Sequence, residues 1–135
     1  MEAIKAKRSV KARAAKEAKK GQRIEESRAT LKNARISARK VKIVADLIRG
    51  KDAMEALSIA KFAPKASSEI IYKLLKSAMA NAENNHGMNT DKLYVAEIYA
   101  NQGTTMKRIR AATQGRANRI RKRTSHIEVE LKERD

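Results

Sequence analysis

Eight cations fall within the 22 residues from Gln102 to Arg123: Lys107, Arg108, Arg110, Arg116, Arg119, Arg121, Lys122 and Arg123, with no acid among them. Arg outnumbers Lys six to two. A guanidinium presents a planar fork of donors that matches phosphate bidentately, so the chemistry on offer is contact with a polyanion. Gly103, Gly115 and the Ala residues leave room for close backbone approach. The segment has no aromatic residue, and its only large apolar groups are Met106, Ile109 and Ile120. Base stacking therefore lacks its usual platforms, and insertion into a bilayer lacks an apolar face.

What must hold these cations in place? A structureless loop of this length inside a small domain is uncommon. Either it is a disordered basic loop, or it is a β-hairpin arm whose legs run out from a sheet. The second form would reach about 35 Å at roughly 3.3 Å per residue.

The rest of the chain supplies a base for such an arm. After Ser37, a candidate N-cap, Val41, Val44, Ala45 and Ile48 recur on one helix face, and Gly50 follows as a stop. Asp52 with Glu55 spells an Asp version of the capping box. It opens a second helix with Ala53, Ala56, Leu57 and Ala60 on one side, ended by Pro64. A third helix spans about Lys65 to Asn85, with Ile71, Leu74, Leu75, Ala78, Met79 and Ala82 as its apolar stripe. Ile127, Val129 and Leu131 alternate with Glu128, Glu130 and Lys132, the period of a strand with one buried face. The two glutamates are thereby expected on the solvent side. Leu93–Ala100 reads as a more buried strand, and a weaker candidate lies around Ala29–Ile36. The expected architecture is α+β: three helices packed on a three-stranded antiparallel sheet. From it protrude a long basic β-hairpin arm (102–123) and a basic N-terminal extension (1–28), with 29–135 as a single domain.

Composition narrows the function further. The chain has 135 residues and a formal net charge of +17. Segment 1–30 holds ten basic residues against four acidic ones, so the charge lies mainly at the N-terminus and in the arm. Ala makes up 23 of the residues, which leaves a small core and little room for an enclosed substrate cavity. Self-repulsion of this size calls for a polyanionic partner, with nucleic acid ahead of an anionic membrane. Cys is absent, excluding disulfide scaffolds, thiolate metal sites and thiol nucleophiles. No apolar run approaches the roughly 18 residues of a membrane span, and no secretory h-region opens the chain. Glu2, Glu17, Glu25 and Glu26 spoil a mitochondrial transit signature.

Single residues that invite catalytic readings give them little support. His86 belongs to the end of the third helix. Ser125 and His126 are neighbours on a strand and point to opposite faces, so they cannot make a nucleophile–base pair. There is no phosphate-cradling Gly loop. No enzyme activity, no cofactor and no metal are expected.

Three stretches carry a resemblance: RISARKVKIVADLIRGK (35–51), KLLKSAMANAENN (73–85) and MKRIRAATQGRANRIRKRTSHIEV (106–129). Together, over about residues 29–131, they closely resemble the bacterial form of the protein-twenty-two family of the large ribosomal subunit. The resemblance implies a cytoplasmic ribosomal component that binds ribosomal RNA of several domains and supports subunit assembly. It further implies that the arm tip forms part of the nascent-peptide exit tunnel wall. Arg35, Ser37, Arg39 and Lys40 match the family's RNA-meeting start of the first helix, and join the eight arm cations as RNA-binding candidates. Met106, Lys107, Arg108, Arg110, Ala111, Ala112, Thr113, Gln114 and Gly115 are the tunnel-facing candidates. The family usually carries a basic, Pro-containing run just before the Gly, where this chain has Ala111-Ala112-Thr113-Gln114. Implied partners are the RNA, neighbouring ribosomal proteins and the nascent polypeptide, without membrane insertion. The alternative is a nucleoid architectural protein that bends DNA with a basic β-arm, although such arms carry an apolar or Pro wedge that is missing here.

Overall fold

The computed structural model describes residues 26–134. Its elements are β1 (Glu26–Ala34), α1 (Ala38–Ile48), α2 (Ala53–Phe62), α3 (Ser68–His86), β2 (Leu93–Gln102), β3 (Met106–Ala111), β4 (Ala117–Lys122) and β5 (Ser125–Glu133). β1, β5 and β2 form an antiparallel sheet in that spatial order, so the last strand of the sequence is the middle one. β3 and β4 form a separate two-stranded antiparallel pair.

The core follows from the apolar periodicities. On β5, Ile127, Val129 and Leu131 are fully buried. Ala29 on one flanking strand and Val95, Ile98 and Ala100 on the other extend this apolar face. The helices bring Val41, Val44, Ala45 and Ile48, then Ala53, Ala56 and Ala60, then Ile71, Leu74, Leu75, Ala78 and Ala82 against it. Ala recurs where helices meet, which lets their backbones approach closely in a domain with few large side chains. Ser27 is also fully buried, and its Oγ donates to the Ala78 carbonyl at 2.9 Å, tying β1 to α3.

Three local readings need correcting. Ser37 and Asp52 do occupy N-cap positions, but neither side chain makes a cap hydrogen bond. The Asp52 carboxylate is instead drawn to Arg134, 2.9 Å away, and Glu55 to Lys51, so the capping box does not form. A cation within reach outcompetes a neutral backbone donor for a carboxylate. Glu130 is not on open solvent. It is 7% exposed, because Arg28 of β1 lies across it with Nε 3.0 Å from Oε1. Arg28 also donates to Glu26 at 2.8 Å, and this hydrogen bond, aided by Lys132, holds the Glu26 carboxyl below the usual carboxylate range. Finally, β1 begins at Glu26, three residues ahead of the expected Ala29. Most of the basic N-terminal extension lies outside the described residues.

Candidate nucleic-acid interface

β3 and β4 pair in unbroken register from Met106↔Lys122 to Ala111↔Ala117. Strand alternation then sorts their side chains onto two faces. One face carries Met106, Arg108 and Arg110 with Asn118, Ile120 and Lys122; the other carries Lys107, Ile109 and Ala111 with Ala117, Arg119 and Arg121. Three cations stand on each face. All six are exposed, as are Arg116 and Arg123, and none of the eight makes an ion pair among the described residues. Lys107 and Arg121 sit directly opposite each other, a like-charge pair that destabilises an isolated hairpin.

The tip is a tight five-residue turn. The Ala112 N–H donates to the Arg116 carbonyl at 2.8 Å, while Gln114 (φ 57°) and Gly115 (φ 71°) take left-handed conformations. Gly is at ease there, whereas Gln114 carries the strain of a residue with a Cβ.

At the other end the structure joins two separate stretches of sequence. Arg35, Ile36, Ser37 and Lys40 line a cleft of about 540 Å³ together with Arg121, Lys122 and Arg123. A second cleft, of about 590 Å³, shares Ser37, Lys40 and Arg123 and adds Ala38, Arg39, Ile43 and Gln102. All four helix-start candidates thus meet the hairpin root. Met106 and Lys107 stand level with Lys122 and Arg121 at the root, Arg108, Arg110 and Arg119 lie farther out with Ala111 at the end of β3, and Ala112–Gly115 with Arg116 form the tip turn. The Lys40 carbonyl accepts from Ser67 Oγ at 3.2 Å, which anchors the helix start from behind. Ile36, Ile43 and Gln102 also line these clefts, and counting charges could not have found them. Their signal lies in position, beside the first helix start and at the end of β2.

No group of His, Cys, Asp and Glu able to hold a metal occurs among the described residues, and none of their helices is long and apolar enough to cross a membrane. Ser125 and His126 do not pair: Ser125 Oγ is buried without a partner, and His126 Nδ1 accepts from the Asn33 N–H at 3.1 Å.

The fold and this surface define a small α+β domain that presents a hairpin cationic on both faces. A family model described as ribosomal protein L22p/L17e matches residues 29–132, and the chain belongs to that family. It is similar to the large ribosomal subunit protein uL22 of Caldicellulosiruptor saccharolyticus, 63% identical over 112 residues that cover 83% of this chain and 92% of that protein. The uL22 proteins of Acetivibrio thermocellus (60% over 110 residues, 82% of this chain and 88% of that protein) and Clostridioides difficile (58% over 109 residues, 81% and 98%) are also similar. The chain is accordingly a structural, non-enzymatic protein of the large ribosomal subunit, cytoplasmic and of bacterial type. The nucleoid reading has no support from these matches.

Proposed function

We propose that this protein binds large-subunit ribosomal RNA through the β3–β4 arm, the start of α1 and the basic residues 1–28, and that it supports subunit assembly there. The observation that carries the reading is the two-sided charge of the arm. A protein lying on a polyanion needs cations on one face, whereas an arm threaded between RNA segments needs them on both. Phosphates on each side also remove the Lys107–Arg121 repulsion. In this reading Met106 to Gly115, with their small tip residues, face the nascent-peptide exit tunnel and the growing polypeptide. Neighbouring ribosomal proteins are further partners in this reading.

Engagement of all eight arm cations gives a logarithmic salt slope of about −6 on ribosomal RNA fragments, at roughly 0.7 per phosphate for single strands. Filter binding across a salt series measures it, and a slope near −2 would sink the arm as the main contact. Sedimentation separates the ribosomal from the nucleoid reading. Tagged protein co-migrates with large subunits in about half-molar salt under the first, and with DNA under the second.

A further inference from the structure

The hairpin does not simply continue the sheet. Gln102 pairs with Ser125 and Met106 pairs with Lys122, so three residues (103–105) on one leg face two (123–124) on the other. That extra residue is a bulge, the device that bends and twists a β-ladder at a chosen point.

The bulge is tightly held. The Gly103 N–H donates to the Thr124 carbonyl at 2.9 Å, and Thr124 Oγ1 donates to the Thr104 carbonyl at 2.7 Å. Thr124 is only 4% exposed. A Cβ on Gly103 would lie 2.6 Å from Thr124 Oγ1 and 3.2 Å from Nε2 of His126. Neither neighbour can readily retreat. The Thr124 side chain is β-branched, buried and bonded to Thr104, and the His126 ring is held by the Asn33 N–H at its opposite nitrogen. Asn33 itself takes a left-handed conformation (φ 58°) where the β1 register shifts between Leu31 and Ala34. One compact contact set therefore joins β1, both legs of the hairpin and β5.

We propose that Gly103, Thr124 and His126 act as positioning residues: a lock that sets the direction in which the hairpin leaves the sheet, so that Arg121–Arg123 stay beside the start of α1 before any RNA arrives. The bulge is the main place where the fold can set this direction, because β3 and β4 make extensive contacts only with each other among the described elements. The gain for RNA binding lies in preorganisation, and it rests on the RNA-binding reading above.

The test uses the full chain, which has no Cys, with spin labels on Cys introduced at Thr113 and at Lys76 of α3. The native protein gives a narrow distance distribution. Gly103→Ala broadens or displaces it and weakens ribosomal RNA binding about tenfold while leaving the salt slope unchanged, because every cation is still present. Thr124→Val, which keeps the shape and removes the hydroxyl, gives the same pattern in a milder form and covers the case in which Gly103→Ala does not fold. Thr124→Ser restores the native distance. An unmoved, narrow distribution in both Gly103→Ala and Thr124→Val overturns the lock, and a broadened one with native affinity overturns its role in positioning. If the native chain fails to bind ribosomal RNA, the function proposed above falls, whereas the label distances still decide the lock.

Discussion

Replacing Met106–Lys122 by an Asn-Gly turn lowers affinity for large-subunit ribosomal RNA by at least about a thousandfold near physiological salt. Seven of the eight arm cations leave with the deletion, all but Arg123. Each lost phosphate contact removes roughly 0.7 from the logarithmic salt slope, so the slope falls by about 5. The core is expected to survive, because the root residues Gly103 to Thr105 and Arg123 to Thr124 are kept and the hairpin touches little else. Thermal unfolding of the deletion variant checks that the core is intact, and filter binding across a salt series checks the affinity and the slope. A loss below about tenfold with an unchanged slope would move the principal contact to the helix start and the N-terminal residues. The result also separates charge from direction. The deletion changes the slope, while the lock variants change affinity alone.

The second large effect lies in the core. Ile127→Ala destabilises the domain by about 4 kcal/mol, because Ile127 is fully buried in the middle strand between Leu31 of β1 and Ala100 of β2. Its pairing partner Ala100 is too small to fill the space that opens, so most of the cavity term remains. A loss of this size is a large share of the roughly 5–15 kcal/mol that holds a domain together. Leu47→Ala on α1, where the side chain is 52% exposed, costs no more than about 0.5 kcal/mol. Urea unfolding of both variants measures the contrast. A cost below about 1 kcal/mol for Ile127→Ala would mean that the sheet does not depend on its middle strand as the packing indicates.

Much of this arrangement is legible in the amino-acid sequence. The helices are, because Val41, Val44, Ala45 and Ile48, and the longer stripe from Ile71 to Ala82, repeat at helical spacing and are buried as that spacing requires. β5 is legible because its alternation is strict. The start of β1 is not, because Glu26-Ser27-Arg28 looks like solvent-facing chain. Ser27 occupies a core position by giving its hydroxyl to a helix carbonyl, which no local pattern reveals. Likewise Glu130 reads as exposed until Arg28, far away in sequence, is laid over it. The capping motif at Asp52 fails for the same reason, since Arg134 captures its carboxylate from the other end of the described chain. At the interface, the cations can be counted in the sequence. Their meeting at the root cannot be, because it depends on where the turn after β1 aims Arg35–Lys40 relative to the base of the hairpin. Gly103 reads in sequence as room for the backbone to approach a polyanion; that its side-chain space is taken by Thr124 and His126 appears only once they stand beside it.

The placement of β5 has a kinetic meaning as well. β1 and β2 never pair with each other, so every register in the sheet passes through β5. β2 and β5 are joined through β3 and β4, so their pairs close shorter loops than those between β1 and β5. Glu26, in contrast, must find Lys132 across nearly the whole described chain, at a larger loop-closure cost. We therefore expect β2 and β5 to pair first and β1 to dock last. Pulse-labelled amide exchange during refolding would show protection at Ile98 before Ala29, and the reverse order would exclude this route. In folding terms, β2 and β5 would then be the nucleus from which the domain grows, and β1 the strap that closes it.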